Sequence, residues 1–383
     1  MSKLSIVKCN SYKQKLVDEK VQESIELIGG IEKIVKPGDR VLLKVNTLVA
    51  SSPEKAITTH PALFKAVAKL VKKARGIPLV GDSPGIDYHK PDMVWGPTGL
   101  GKAAAEVGAK IVNFHTHGII TVKNPTKNEL VPEFYIAKPV LNADVVINLP
   151  KLKTHSFTLF TGAIKNLYGV LPGFYKKTIH ALEPSPLNFA KILVDIFEIV
   201  KPQLTLMDGI LAMEGEGPAA GKPRPLGLII ASKDSVAVDA VASCIIGYKP
   251  FDIDTTRIAH QRGLGTGKLE NIEILGENLE EVKVADFKLV SNVNLLLKNL
   301  SGVISLFRYI APYFLKIEPY VNKNRCTGCG TCVKNCPIKA LSMKNGYPII
   351  NRKICIRCFV CHEICPERAV DIRKSWLARK LSI

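Results

Sequence analysis

Long apolar runs are missing from this chain of 383 residues. No stretch of about 18 apolar residues occurs, which excludes a helix that spans a bilayer. The nearest approach, 294–315, is interrupted by Lys298 and Arg308. We interpret it as a packed amphipathic linker, with weak peripheral contact to a membrane surface as the alternative. The first residues lack the apolar core and the cleavage site of a signal peptide, so we expect a cytoplasmic protein.

Acidic residues are also scarce, because 34 Asp and Glu stand against 53 Lys and Arg, for a formal net charge of +19. Such a charge favours acidic proteins, nucleic acids, membrane surfaces and anionic small-molecule substrates as partners. Aromatic residues make up only 7% of the chain and do not alternate with basic ones, which argues against specific nucleic-acid binding. A generally basic, solvated surface is the simplest alternative.

Cysteine, in contrast, is concentrated near the carboxyl end. Eight of the ten cysteines form two runs of the pattern C-x2-C-x2-C-x3-C-P, at 326–337 and 355–366. Thiolates suit iron–sulfur clusters, and three closely spaced ones can hold one face of a four-iron cubane. Zinc would leave the third cysteine and the proline of each run unexplained, and disulfides would require an oxidising compartment. The pattern therefore predicts two [4Fe–4S] clusters.

The segment 318–375 resembles the bacterial-type two-cluster ferredoxins, both in the doubled spacing and in Ala340 and Ala369, which follow the two prolines. In those proteins the fourth cysteine of each run ligates the cluster of the other run. The resemblance therefore implies two crossed ligand sets. They are Cys326, Cys329, Cys332 and Cys365 for the first cluster, and Cys355, Cys358, Cys361 and Cys336 for the second.

Charge is the one departure from that ferredoxin pattern. Residues 316–383 contain 14 Lys and Arg against 4 Asp and Glu, whereas freestanding ferredoxins of this type are commonly acidic. Positive charge near a cluster stabilises its reduced form. It also favours docking of an acidic redox partner such as an ordinary ferredoxin. The alternative is that these charges face the rest of the chain.

Ahead of the cysteine runs, apolar segments with strand character alternate with segments of helical spacing. The alternation predicts an α/β fold with a mainly parallel sheet, followed by a small α+β two-cluster ferredoxin-like domain. We predict the following division: 1–290, an α/β domain, possibly with lobes at about 1–200 and 201–290; 291–317, an amphipathic linker; and 318–375, the ferredoxin domain, with its runs at about 317–346 and 347–375.

Polar side chains follow several of the predicted strands. In open α/β sheets, ligands bind beyond the carboxyl ends of the strands, so these side chains are candidates for a binding site. A Gly/Pro-rich segment, 212–225, reads as a loop that could cradle a phosphate, although it lacks both the Walker pattern and G-x-G-x-x-G. The predicted cofactor-binding residues are Lys44, Asn46, Asp82, Asp208 and Glu214.

The densest polar stretch, LPKLKTHSFTLFTGAIKNLYGVLPGFYKKTIH, covers 149–180. Lysines near histidine and asparagine after a buried strand favour an anion or cofactor pocket, and the glycines allow close backbone approach. Solvated loop lysines are the alternative. The candidate catalytic residues are Lys153, His155, Lys165, Asn166 and His180.

A family resemblance extends over about residues 5–285. The segments VLLKVN, VGDSPG, INLPKLKTHSFTLFTGAIKNLYG and MDGILAMEGEGPAAG together resemble the domain-of-unknown-function family 362. Members often carry a two-cluster ferredoxin at the carboxyl end, as in this chain. The resemblance implies a fusion of the two parts but no particular reaction.

A more distant resemblance is to the nickel-pincer lactate racemases. It rests on the spacing H-x9-K-x14-H, formed by His155, Lys165 and His180. The resemblance implies that His155 moves a proton, Lys165 tethers a cofactor and His180 binds nickel, which would add an unknown cofactor or metal to the N-terminal domain. For a second catalytic histidine the chain offers only His115 and His117 as candidates.

These observations predict an iron–sulfur protein that transfers single electrons between its clusters and a Lys/His-lined pocket, as a redox enzyme or an enzyme component. Fusion keeps an electron carrier at high effective concentration beside one site. Two alternatives belong to other classes. One is an electron-transfer or assembly protein whose N-terminal domain is a docking module, and the other is a racemase-like enzyme with a metal cofactor.

Overall fold

The structure is a computed structural model. The predicted linker, 291–317, and the segment 294–315 with its alternative membrane contact lie outside the described residues, apart from residue 317. The described residues are 1–85, 92–173, 175–183, 185–290 and 317–376.

A ten-stranded sheet forms the centre of the N-terminal part. Its strands, together with the separate hairpin β5–β6, are β1 (Ser2–Lys8), β2 (Arg40–Lys44), β3 (Ile77–Gly81), β4 (Lys110–Ile111), β5 (Ile119–Lys123), β6 (Glu133–Ala137), β7 (Val145–Asn148), β8 (Lys151–His155), β9 (Leu159–Thr161), β10 (Leu204–Glu214), β11 (Lys222–Ser232) and β12 (Ile272–Gly276).

The order across the sheet is β12–β1–β11–β10–β7–β2–β3–β4, with β8 beside β10 and β9 beside β8. The pairs from β10 through β7, β2 and β3 to β4 are parallel, as is β1 with β12. Strand β11 runs antiparallel to both of its neighbours. The prediction of a mainly parallel α/β sheet is therefore confirmed.

Helices cover both faces of this sheet. Successive residues of β2 point to opposite faces: Val41 and Leu43 pack with α1, α2 and α4, whereas Leu42 packs with α8. The helices are α1 (Gln14–Leu27), α2 (Pro61–Lys73), α3 (Asp92–Trp95), α4 (Leu100–Val107), α5 (Lys138–Leu141), α6 (Ala163–Asn166), α7 (Tyr175–Leu182), α8 (Pro186–Val200), α9 (Ser235–Ile245), α10 (Asp254–Gln261) and α11 (Leu279–Val282).

Local capping explains where two of these helices begin. Helix α2 starts with Pro61 in its first turn, where a missing N–H costs nothing, and the ring of His60 accepts the N–H of Ala62. Helix α9 is capped by Asp234, whose carboxylate accepts the N–H groups of Val236 and Ala237 at 2.9 and 3.1 Å.

Two local predictions were wrong in extent. The segment that holds Lys151, Lys153 and His155 is a buried strand, β8, because it pairs with β10 and β9 instead of forming a loop after β7. The predicted loop 212–225 is shorter, because β10 and β11 continue as a hairpin and leave 215–221 between them. Strands from both suggested lobes share one sheet, since β1 pairs with β11 and β12.

The carboxyl-terminal part is a small domain of short antiparallel strand pairs. Strand β13 (Ile317–Val321) pairs with β16 (Val370–Lys374), and β14 (Leu341–Lys344) pairs with β15 (Tyr347–Ile350). Two one-turn helices, α12 (Thr331–Lys334) and α13 (Val360–Glu363), lie between the pairs and contact each other. This is the small α+β unit expected from the cysteine pattern.

The ferredoxin-type domain packs directly against the α/β domain. Phe359, at the start of α13, is 8% exposed and lies in the same apolar cluster as α8. The Nε2 atom of His362 lies 3.3 Å from the carbonyl oxygen of Glu216, and Arg368 donates to the carbonyl of Gly221 at 3.4 Å. The loop 215–221 therefore serves as a contact surface for the second domain.

Candidate functional site

The first set of cysteines surrounds a cavity in the ferredoxin-type domain. About 320 Å³ of space, partly open to solvent, lies between four cysteine side chains. In the described ranges, no three His, Cys, Asp or Glu side chains converge closely enough to hold one metal ion. Four thiols around one cavity supply the ligand set of a [4Fe–4S] cluster. The four cysteines are Cys326, Cys329, Cys332 and Cys365.

The second set of cysteines is more deeply buried. Burial, followed by the charges of Glu363, Cys336 and Cys355, raises the pKa of the Cys358 thiol to about 12. Burial also raises the pKa of Cys361, with the same two cysteines among the nearby groups. Cys336 thus lies with the cysteines of the other run, so the residues fit the crossed ligation of two clusters.

A second cavity lies between the two domains, beside the carboxyl ends of β2 and β3. It encloses about 730 Å³ of space, part of which is open to solvent. All five candidate catalytic residues line it, and so do Asn46 and Asp82. We call this cavity the interdomain pocket. Its other polar walls are Ser83, Thr161, Tyr168, Lys176 and Glu363.

A buried ion pair lies under the interdomain pocket. The ammonium of Lys44 lies 2.7 Å from the carboxylate of Asp82 and donates to two backbone carbonyls. The other oxygen of Asp82 accepts both the N–H and the hydroxyl of Thr47, each at 2.7 Å. A Cβ on Gly169 would come within 2.1 Å of Asp82, so only glycine permits this close approach. The pair therefore supports the pocket and has no unused hydrogen bond on Lys44.

Two lysines bring positive charge into the wall of the pocket. Lys153 donates to the amide oxygen of Asn46 at 2.8 Å and to the carbonyl of Ile57 at 2.7 Å. Lys176 donates to the carbonyls of Ser83 and Pro84 at 2.5 and 3.0 Å. Burial lowers the pKa of Lys153, and the positive charge of Lys165 lowers it further. These bonds go to neutral carbonyl and amide oxygens.

The imidazole of His155 is oriented by the backbone. Its Nδ1 atom accepts the N–H groups of Phe157 and Thr158 at 3.1 and 3.3 Å. In the neutral ring this places the proton on Nε2, which lies 3.3 Å from the Oε1 atom of Glu363, yet neither atom makes a hydrogen bond. Burial and the charges of Lys165 and Lys153 lower the pKa of His155. The pocket therefore contains a neutral histidine with its N–H inside.

Lys165 and His180 lie among aromatic rings. The Lys165 ammonium is 5.9 Å from the ring centroids of both Tyr168 and Phe189. The ring of His180 stacks on Phe189 at 4.3 Å, and its Nδ1 atom is buried without a hydrogen-bond partner in the described residues. Burial, followed by the charges of Lys165 and Lys176, lowers the pKa of His180 to about 3. Burial also lowers the pKa of Lys165, whereas Glu363 opposes that change.

The short helix α6 places Lys165 and Asn166 in the pocket, and a residue on α9 holds its first turn. The carboxylate of Asp239 accepts the N–H groups of Ala163 and Ile164 at 2.5 and 3.1 Å. A Cβ on Gly162 would come within 2.0 Å of that carboxylate. Burial raises the pKa of Asp239 to about 7, although the two N–H donors oppose the shift.

Three of the predicted cofactor-binding residues lie outside the pocket lining: Lys44, which lies beneath it, and Asp208 and Glu214. Asp208 belongs to a separate buried group, in which it accepts hydrogen bonds from Lys151 and Tyr12. Glu214 ends β10 and accepts the backbone N–H of Lys288 at 3.1 Å. The functional roles of all these residues stay predictions.

The sequence reading missed Glu363 in the pocket wall. Glu363 lies two residues beyond Cys361, and nothing in its local pattern indicates contact with a segment some 200 residues earlier. Lys176 stood in the dense polar stretch and could have been selected from it. Of the two further histidine candidates, His115 lies 3.3 Å from the hydroxyl of Ser83, at the edge of the pocket, and His117 is exposed.

The fold and the cysteine geometry define an iron–sulfur protein in which an α/β domain is joined to a two-cluster ferredoxin-type domain. Residues 318–366 match the 4Fe-4S dicluster domain, and residues 41–243 match the domain of unknown function DUF362. The chain belongs to the DUF362 family. It is 35% identical over 262 residues to the thylakoid-associated protein sll1697 of Synechocystis sp., which corresponds to 68% of this chain and 79% of that protein.

Two solved structures align with part of this chain. The lactate racemase apoprotein of Thermoanaerobacterium thermosaccharolyticum aligns with a TM-score of 0.38 and 13% identity over 61% of this chain. A structural-genomics protein of Thermotoga maritima aligns with a TM-score of 0.37 and 13% identity over 67% of this chain. This chain spans 55% and 60% of their respective lengths. Likenesses of this size carry no inference about chemistry.

None of the helices in the described ranges has both the length and the apolar character that crossing a membrane requires.

Proposed function

We propose that this protein is a redox enzyme, or an enzyme component, that uses single electrons on a small anionic substrate bound in the interdomain pocket. When bound, the two [4Fe–4S] clusters supply or accept those electrons. The proposal depends on one observation above all. Helix α13 carries the cluster ligand Cys361 and also lines the pocket through Val360 and Glu363.

Adjacency of the second cysteine set and the pocket supports this coupling. Glu363 lies near enough to Cys358 for its charge to affect that thiol, and its Oε1 atom lies 3.3 Å from His155. One carboxylate thus touches both the cluster region and the candidate catalytic histidine. A change of charge in the cluster region will alter the electrostatic potential in the pocket, and the reverse also holds, because buried charges are weakly screened.

The charges of the pocket favour an anion. Lys153, Lys165 and Lys176 line it, and Glu363 is the one carboxylate of the lining that no lysine pairs with in the described residues. In the described residues, Lys165 makes no hydrogen bond or ion pair, so its ammonium is the group best placed to contact a bound carboxylate or phosphate. Aromatic rings around it exclude water and strengthen that contact.

Unsatisfied polar atoms define the remaining contacts. Buried polar groups in proteins are normally hydrogen-bonded, yet several atoms of the pocket have no partner in the described residues. In this proposal a substrate completes them, and the Nε2–H of His155 donates a hydrogen bond to the substrate atom on which charge develops when the electron arrives. The atoms are His155 Nε2, Thr161 Oγ1, Asn166 Oδ1, His180 Nδ1 and Glu363 Oε1.

The proposal is tested by reoxidation of the reduced protein. Protein purified without oxygen and carrying about eight irons is reduced, and small organic anions are added one at a time. The visible absorption of the clusters reports their reoxidation. We expect at least one anion to reoxidise the wild type rapidly, and Lys165→Ala to slow that reaction by about two orders of magnitude while it retains full iron.

The control is Lys102→Ala, which changes an exposed lysine on α4 far from the pocket lining. Equal rates for Lys165→Ala and the wild type would contradict the proposal. So would a panel in which no anion reacts. That result would favour an electron-transfer or assembly protein whose N-terminal domain only docks a partner.

A further inference from the structure

The two cysteine sets differ in their access to solvent, which bears on where electrons enter or leave. In the second set, Cys358 and Cys361 are both buried. The first set includes Cys329, which is the one exposed cysteine of the eight. The surface around Cys329 is therefore the accessible approach to the clusters from outside.

The chain around this exposed cysteine is basic. From 322 to 339 it contains four basic residues and no acidic one. Arg325 is paired with Asp371. Lys323, Lys334 and Lys339 are exposed, and no ion pair involves them in the described residues. We call these three the entry lysines.

Neighbouring groups limit how far this positive surface extends. Glu367 lines the same cavity as Cys329 and is exposed, so it offsets part of the charge. The ammonium of Lys323 lies 5.6 Å from the ring centroid of Tyr347, and this contact weakly orients the lysine side chain. The net charge of residues 322–339 together with Glu367 stays positive, because this set contains four basic residues and one acidic residue.

We propose that the entry lysines form the docking surface for an acidic ferredoxin, which exchanges one electron with the cluster held at Cys329. A reduced partner would lose one electron, and the cluster held by the first cysteine set would gain it. Complementary charge steers such encounters and sets their register. The proposal does not depend on the pocket, because docking needs no substrate there.

The experiment measures binding of an oxidised, acidic [2Fe–2S] ferredoxin to the full-length iron-loaded protein by calorimetric titration at low and high ionic strength. The test variant is Lys323→Glu/Lys334→Glu/Lys339→Glu. The matched control is Lys73→Glu/Lys102→Glu/Lys110→Glu, which makes the same change of net charge at three exposed lysines of the α/β domain.

At low ionic strength we expect the entry variant to raise the Kd by about tenfold or more, and the control to change it by less than about twofold. At high salt, where the screening length falls to a few ångströms, the difference should largely disappear. Reduction of the clusters by the reduced ferredoxin should slow in parallel. Lys165→Ala should bind the ferredoxin as the wild type does, which separates this proposal from the proposed function.

Three results would overturn the docking surface. They are equal weakening by both triple variants, an unchanged Kd in the entry variant, and no saturable binding by the wild type at low salt. If the entry variant loses iron, Lys323→Gln/Lys334→Gln/Lys339→Gln takes its place, with a smaller increase in Kd expected. An unchanged Kd in that variant, with full iron, would equally reject the proposal.

Discussion

Two groups of lysines in the α/β domain differ in how completely they are partnered. Lys151 donates to Asp208 and to the hydroxyl of Tyr12, both at 2.9 Å. Asp208 also accepts the hydroxyl of Tyr12 at 2.7 Å and the N–H of His60 at 2.9 Å. In the interdomain pocket, Lys165 lies beside aromatic rings and makes no hydrogen bond or ion pair in the described residues, and several polar atoms have no partner.

The difference separates a structural group from a binding site. Burial of a charge is costly unless pairing and hydrogen bonds compensate it. The partners of Lys151 within the chain compensate the burial of its charge, so this group does not require a bound ligand. The groups within the pocket do not compensate the cost of burying its lysines. A bound anion is the simplest compensation for this excess of positive charge. Lysine content alone would not have distinguished the two groups.

The comparison is tested most sharply by replacing one lysine of each group with methionine. Lys151→Met should lower the free energy of unfolding by about 3–5 kcal/mol, because it leaves Asp208 buried without its ammonium. Chemical denaturation of the iron-loaded protein, with iron counted for each variant, measures the change. A loss below about 1 kcal/mol would show that the Lys151 group is not the structural one.

The pH dependence of stability tests the unpartnered histidine. The pKa of His180 is lowered to about 3 in the folded chain, whereas an unfolded histidine titrates near 6.5. Between these values the unfolded state binds more protons, so stability falls as pH falls below about 6.5. His180 alone should make unfolding about 2 kcal/mol easier at about pH 5 than at about pH 8.

Denaturation at several pH values, with iron intact, checks this expectation. His180→Gln should flatten the dependence, and the exposed His117→Gln should leave it as in the wild type. If His180→Gln keeps the full slope, then His180 is not held neutral in the pocket.

The smallest change in stability is expected for the pocket lysine, Lys165. Lys165→Met should alter the free energy of unfolding by about 1 kcal/mol or less, or should stabilise the chain, because it removes an unpaired charge among aromatic rings. The same denaturation experiment measures it beside Lys151→Met. A loss as large as that of Lys151→Met would place Lys165 in a structural network and remove the reason to regard it as a ligand-binding group.

Much of the architecture could be predicted from local patterns. The doubled cysteine spacing specifies its cofactor because a cubane requires thiolates at short intervals. The pocket residues on β8 and α6 gather because carboxyl ends of neighbouring parallel strands meet at one edge of the sheet. The error about β8 has a physical reason too: its polar residues resemble a loop, but Lys151 and Lys153 are buried with partners.

The rest depended on contacts between distant segments. Glu363 enters the pocket only because α13 packs against the α/β domain, and no periodicity encodes that docking. Asp208 seemed equivalent to Asp82 in sequence, since each ends an apolar strand. In the structure, Asp208 forms an ion pair with Lys151, and Asp82 forms one with Lys44. Of the two aspartates, only Asp82 lines the pocket. Partners, and not residue types, decide which polar group belongs to a site.

The most direct test of the account is a redox titration that resolves the two clusters by electron paramagnetic resonance in the wild type, Lys165→Met and Glu363→Gln. Positive charge near a cluster stabilises its reduced form. Lys165→Met should therefore lower the potential of the cluster held by the second cysteine set, and Glu363→Gln should raise it, while the other cluster changes less. Unchanged potentials, or equal shifts of both clusters, would contradict the coupling between pocket and cluster.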